Sequence, residues 1–154
     1  MNLKKKQKIK TEKLSLKNIS KATKLILALW PKCTFKEEYQ NCKRILSNKK
    51  ERIQLVKNKD KYVGFIYLNL RTDYVAGTKS SPIAYIEGLY IKPKYRKKGI
   101  AKRLVKFGEK WGKKHGAKEY GSDTELTNLD SIKFHKKIGF KEANRIVCFA
   151  KKIN

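Results

Sequence analysis

Apolar and polar positions change period several times along the chain, and each change marks an element. Leu16, Ile19, Ala22, Thr23, Ile26, Leu27 and Trp30 recur at the spacing of one helix face, and Pro31 ends the run. Phe35 to Leu46 repeats with the same period as a shorter helix. "RIQLVKNKDKYVGFIYLNLRTDY" then shows two β-rich runs around Asn58-Lys59-Asp60, the pattern of a hairpin. "SPIAYIEGLYIKP" is apolar on both faces and predicts a central strand, interrupted by Gly88, which marks a bulge or a close approach. Ile100, Leu104, Phe107, Gly108 and Trp111 predict a helix running to His115-Gly116. "AKEYGSD" predicts a strand, "NLDSIKFHKKIG" a helix stopped at Gly139, and "NRIVCFAKKI" at 144–153 a final strand. A short edge strand is expected from Ile9, behind a basic flexible tail at 1–8. The order is β-α-α-β-β-β-α-β-α-β, an α+β chain forming one domain over 9–154.

Charge alters this picture less than its size suggests. Forty Lys and Arg against 13 Asp and Glu give +27, which favours polyanionic partners. The lysines are spread along the whole chain, in "SNKKER", "KNKDK", "EKWGKKHG" and elsewhere, as on a solvated surface. Nothing resembles a nucleic-acid motif, so a basic RNA- or ribosome-associated binding protein is the weaker of the functional readings. Cys33, Cys42 and Cys148 are odd in number and lack CxxC spacing, which predicts free thiols, a reducing compartment and no metal site. "LILALW" is too short to span a bilayer, so a cytoplasmic location without membrane contact is expected.

The stretch that asks for chemistry is "YRKKGIA" at 95–101, a basic glycine turn between a strand and a helix. A helix opened in this way points free N–H groups at an anion. An ordinary left-handed turn decorated with lysines reads the same way. The Walker and dinucleotide-fold glycine spacings are absent, leaving R-x-x-G-x-A.

That motif, after a glycine-bulged strand and before "N-x-x-S-x-x-x-H-x-x-x-G-F", resembles the GNAT acyltransferases. "ALWP", "RTDYVAG", "SSPIAYIEGLYI", "GSDTELTN" and "GFKEANR" resemble one branch of them, the bacterial aminoglycoside 6'-N-acetyltransferases. The chain departs from that branch at Ala76, Lys79 and Asn144, where acids are common. The resemblance implies a mixed, mostly antiparallel sheet splayed at a bulge and flanked by helices. It also implies acetyl transfer from acetyl-CoA to the 6'-amine of an aminoglycoside by direct attack in a ternary complex, conferring antibiotic resistance. A GNAT enzyme acting on another amine, at a protein N-terminus, a lysine or a polyamine, is the alternative. Homodimers are common in the family, and "RIVCFAKKI" is the segment expected to pair between subunits.

The same resemblance assigns candidate residues. The turn from Arg96 through Lys97, Lys98, Gly99, Ile100 and Ala101 to Lys102 would hold the cofactor's pyrophosphate. Leu89 and Ile91 would offer backbone to its pantetheine arm, and Asn128, Ser131 and His135 would contact it from the last helix. Acetyl transfer needs an acid to bind the acceptor ammonium and help remove its proton. Asp123 is the first candidate and Glu87 the second. His135 stands where many such enzymes place a tyrosine that protonates the departing thiolate. Trp30, Asp73 and Tyr74, together with Glu87 and Asp123, would bind the acceptor, by stacking and by charge.

Overall fold

The computed structural model describes residues 9–153; the basic tail expected at 1–8 lies outside them. Leu55, Val56, Val63, Phe65, Ile66 and Leu68 are almost wholly buried, because the hairpin they belong to is covered on both faces. The elements are β1 (Ile9–Lys13), α1 (Ile19–Leu29), α2 (Phe35–Ser47), β2 (Glu51–Asn58), β3 (Lys61–Arg71), β4 (Ile83–Ile91), a 3-10 turn (Pro93–Tyr95), α3 (Ile100–Lys114), β5 (Tyr120–Ser122) and α4 (Leu129–Lys137). The sheet runs β1-β2-β3-β4-β5. Its first three pairings are antiparallel and β4-β5 is parallel. The expected α+β class, the β1 edge and the hairpin turn are all present.

The two faces have separate cores. On one, α1 and α2 bring Leu25, Ile26, Cys42 and Ile45 onto Ile53, Leu55 and Phe65. On the other, α3 brings Ile100, Leu104, Val105 and Trp111 onto Val56, Val63, Ile66, Leu68 and Ile86, with Phe134 and Ile138 of α4 at the margin. The helix boundaries follow local chemistry. Thr34 caps α2 reciprocally with Glu37, whose carboxylate accepts from the Thr34 N–H at 2.9 Å. Asn18 accepts from the Ser15 N–H at 2.8 Å, a turn that starts α1 at Ile19 and leaves Leu16 exposed.

β4 carries the expected irregularity. Tyr67 pairs with Gly88 and Leu68 with Ile86, so Glu87 is an extra residue with no partner on β3. A Cβ on Gly88 would lie 2.8 Å from the Trp30 ring, which explains the glycine: the end of α1 rests on the strand there.

One expected element does not form. Residues 140–153 have no regular secondary structure, and Ile146, Val147, Phe149 and Ile153 are 66 to 98% exposed. The predicted final strand has the right alternation but pairs with no strand among the described residues, and β-rich composition without a partner gives no ladder. Among the described residues no helix is long and apolar enough to cross a membrane.

Candidate active site

The basic turn is built from backbone. Lys97 and Gly99 both adopt left-handed conformations, with φ of 57° and 78°. Such alternation turns successive N–H groups toward one concave spot. Gly99 caps α3 without a side-chain hydrogen bond, and no acidic residue lies in the first turn, so the N–H groups of Ile100, Ala101 and Lys102 keep their capacity for an anion. A Cβ on Gly99 would meet nothing within 4 Å, so the approach is open. Lys97, Lys98 and Lys102 are exposed around it. Arg96 is partly committed elsewhere, since its Nε donates to the Ile91 carbonyl at 2.7 Å and braces the turn against β4. This cradle fits a pyrophosphate; the macrodipole of α3 adds roughly 0.3–1 kcal/mol for an exposed anion.

Next to the cradle the sheet forks. β5 pairs with β4 only at Ala84–Tyr120, Tyr85–Gly121 and Ile86–Ser122, and the bulge follows at once. Leu89 and Ile91 therefore lie beyond the fork on a strand that, among the described residues, has no neighbour on that side, where an extended arm can add like a short strand.

On the α1 face the acids gather. Glu87 accepts from Arg71 twice, at 2.8 and 2.7 Å, and from the Asn69 amide at 3.1 Å. The Arg71 guanidinium also stacks 3.5 Å from the centre of the Tyr85 ring. Its pKa is raised by Glu87 against the opposing effect of burial. The Tyr85 hydroxyl is pushed up to about 12, first by burial and then by the charge of Asp123. Asp123 itself is exposed just past β5. Trp30, Glu87 and Asp123 are thus brought to one face. Asp73 and Tyr74 follow Arg71 in the β3–β4 loop, with Tyr74 85% exposed at the rim.

Sequence reasoning assigned no role to Arg71, Tyr85, Ser122 or Glu119. Glu119 pins the loop by accepting from the N–H groups of Lys79 at 2.8 Å and Ser80 at 2.7 Å. These donors, with the Ser80 hydroxyl first among them, hold its carboxyl below the ordinary range. "RTDYVAG" contained Arg71, but its partner depends on a register set across the 72–82 loop.

On the opposite face α4 contributes. The Asn128 side chain accepts from the Ser131 N–H at 3.1 Å and so caps the helix. His135 Nδ1 lies 2.7 Å from the Ser131 carbonyl and Nε2 lies 2.8 Å from the Ser122 hydroxyl. The Phe140 ring meets the imidazole edge-on at 5.4 Å.

The profile of the Acetyltransferase (GNAT) family matches residues 14–140. An aminoglycoside N(6')-acetyltransferase type 1 of Serratia marcescens is 36% identical over 125 residues, spanning 80% of this chain and 86% of that protein. A protein of the same name from Acinetobacter genomosp. 13 is 37% identical over 127 residues, spanning 81% and 86%. Among solved structures, AAC(6')-Iy in complex with the bisubstrate analogue CoA-S-monomethyl-acetylneamine is similar at a TM-score of 0.90 and 28% identity, over 94% of this chain and 99% of that one. AAC(6')-Ih from Acinetobacter baumannii is similar at 0.87 and 30%, over 95% and 99%. A splayed sheet, an anion cradle at α3 and an acidic face beside the fork agree with these likenesses: the chain belongs to the GNAT acetyltransferase family and is closely related to the aminoglycoside 6'-N-acetyltransferases.

Proposed function

We propose that this protein transfers an acetyl group from acetyl-CoA to the 6'-amine of aminoglycosides, with both substrates bound together. The observation that carries the reading is the fork after Ile86–Ser122, which joins the cradle of Gly99 to the acidic face of Glu87 and Asp123. The named relatives and the bisubstrate complex of AAC(6')-Iy support the same substrates.

When bound, acetyl-CoA supplies an acyl group on a good leaving group; the residues of the chain do the rest. The N–H groups from Lys97 to Lys102 hold the phosphates. Asp123, exposed and without an ion-pair partner among the described residues, binds the acceptor ammonium and takes up its proton, directly or through water. Glu87, already gripped by Arg71, serves as a fixed negative wall for the acceptor rather than as the proton acceptor. Trp30 and Tyr74 offer ring faces to the sugars. The +27 charge does not forbid a cationic substrate, because at physiological salt charges beyond about 8 Å are largely screened and the local acids govern.

The test is thiol release from acetyl-CoA with kanamycin, tobramycin, polyamines and lysine peptides as acceptors. Turnover on the aminoglycosides that falls at least about a hundred-fold in Asp123→Asn, with acetyl-CoA affinity kept, is the expected result. Turnover only on polyamines or peptides would move the protein to another acceptor.

The exposed apolar side chains of residues 146–153 and the open edge of β5 support a homodimer in which this segment pairs with a second copy. Sedimentation of the full chain and of a variant ending at 142 tests it: a dimer that becomes a monomer supports the pairing, and a monomeric full chain excludes it. Free Cys33, Cys42 and Cys148 and the need for acetyl-CoA support a cytoplasmic location for this single domain.

A further inference from the structure

We propose that the outward face of α3 is a docking surface for the phosphate backbone of double-helical RNA, used in addition to the acetyl transfer. The lysines are spread along the whole chain, but the acids are not. Residues 88–118 hold twelve Lys and Arg and a single acid, Glu109. Acids elsewhere sit on other elements: Glu37 and Glu38 open α2, and Glu87 and Asp123 stand at the fork. A surface of random solvated lysines would interleave both signs; this stretch does not.

α3 arranges half of these cations. At 3.6 residues per turn, Lys102, Lys106 and Lys113 fall in one row and Arg103, Lys110 and Lys114 in a second, all within an arc of about 120°. Ile100, Leu104 and Trp111, on the other side of the helix, are buried in the core. The six cations are exposed, and among the described residues none joins a salt bridge. Arg103 alone has a hydrogen-bond partner there, donating to the Ile9 carbonyl at 3.3 Å. The rows run for about 18 Å at 1.5 Å per residue. Beyond the helix start they continue to Lys98 and Lys94, whose ammonium groups each lie 5.7 Å from the Tyr95 ring centre.

The shape and chemistry of this face select the occupant. The exposed large apolar side chains all lie outside residues 88–118, so the surface offers nothing to insert into a bilayer. α3 is packed on the sheet along its length and presents its flank. A flank cannot enter a deep, narrow groove, but it can lie across the wide, shallow minor groove of an A-form duplex with one row of cations toward each rim. Each lysine placed against a phosphate releases a condensed counterion, which drives the association. Glu87 and Asp123 are on the α1 face of the sheet, so RNA held by α3 leaves the acceptor site open. An aminoglycoside is a polycation and gathers on folded RNA by the same counterion release. Docking would thus hold the enzyme where its acceptor is concentrated; this purpose rests on the proposed function, whereas the binding itself does not.

The test is fluorescence anisotropy with a labelled RNA duplex of about twenty base pairs, long enough to cover both rows. Wild type is compared with two variants that each lose four positive charges. One combines Lys106→Gln, Lys110→Gln, Lys113→Gln and Lys114→Gln; the other combines Lys17→Gln, Lys21→Gln, Lys24→Gln and Lys36→Gln, all exposed on the α1–α2 side. At about 0.1 M salt the α3 variant should bind at least about ten-fold more weakly, with the slope of log affinity against log salt reduced by about three. The α1–α2 variant should stay within about two-fold of wild type. Equal losses in the two variants would trace the binding to diffuse net charge and overturn the proposal. Tighter binding to a DNA duplex of the same sequence, or to phosphatidylserine vesicles, overturns RNA as the occupant. Thiol release with kanamycin, run on the same proteins, should be unchanged in the α3 variant. Its absence from all three proteins would count against the acceptor reading alone. Should a variant not fold, wild type decides by mass spectrometry: RNA should shield Lys106, Lys110, Lys113 and Lys114 from an acetylating reagent and leave Lys21 and Lys24 reactive, and uniform reactivity refutes the surface.

Discussion

The Arg71 guanidinium grips both oxygens of the Glu87 carboxylate, Nε to Oε1 at 2.8 Å and Nη2 to Oε2 at 2.7 Å. A two-pronged pair of this kind is stiff as well as strong. It holds a negative charge beside the fork in one orientation, while Asn69 fixes the carboxylate from the side. Glu87→Gln leaves Arg71 half-buried without its counter-charge. We expect a stability loss of about 1–3 kcal/mol in urea unfolding and a roughly ten-fold rise in KM for the acceptor. KM for acetyl-CoA should not move. An acceptor KM equal to wild type would reduce Glu87 to a structural partner of Arg71.

Gly99 separates backbone strain from charge. Its φ of 78° burdens any side chain, but Asn tolerates that region better than most residues and Asp is nearly its isostere. Gly99→Asn and Gly99→Asp share the strain and differ by one negative charge among the N–H groups of the cradle. Calorimetric titration should find acetyl-CoA bound at least about ten-fold more weakly by Gly99→Asp than by Gly99→Asn. Equal affinities would mean that no phosphate sits there.

Gly88 links the sheet to the end of α1 through packing. An added methyl would lie 2.8 Å from one carbon of the Trp30 ring, 3.1 Å from another and 3.2 Å from Leu29 Cδ2. Gly88→Ala must therefore push the indole off the strand, at a cost of about 1–3 kcal/mol. Trp30→Ala should remove most of that cost, so the two changes together destabilise by less than their sum. Strict additivity in a double-mutant cycle would place Trp30 elsewhere in solution.

Glu51 gives the fold a pH dependence of known sign. Arg44 donates to its carboxylate, with Nη2 at 2.9 Å from Oε1, and Tyr67 and Asn48 add further bonds. Arg44 is the main cause that holds the Glu51 pKa below its ordinary 4.5, against the opposing effect of burial. A folded pKa below the unfolded one means that the contribution is complete above about pH 4.5 and is lost as pH falls through the lower value. Unfolding free energies measured between pH 6 and 3 should thus drop more steeply for wild type than for Glu51→Gln. Parallel curves would show that the cluster is not an acid-sensitive tie.

Much of this was legible in the sequence. Period changes located the hairpin, the strand with Gly88 and the helix after the basic turn, because each depends on neighbours within a few residues. The Arg71–Glu87 and Ser122–His135 pairs depend on register across a loop and on the placing of a helix against a three-residue strand, and neither leaves a local signal. The 144–153 segment misled for the opposite reason: its local signal is a strand's, but a strand exists only where a partner edge receives it.

The bulge at Glu87 is a pure insertion. Ile83, Tyr85, Gly88 and Tyr90 lie on the sheet face away from α3, the first two against Val75 and the last two against the α1 side, while Ala84, Ile86, Leu89 and Ile91 face α3, and that alternation stays unbroken if residue 87 is struck out. The sheet thus carries a supernumerary carboxylate that displaces nothing from either core. A chain lacking Glu87 keeps every apolar side chain on its proper face, and with the kink gone β4 can run straight alongside β5. A folded variant lacking Glu87 should bind CoA more weakly by calorimetry, and unchanged affinity would show that the extra residue has no part in parting β4 from β5.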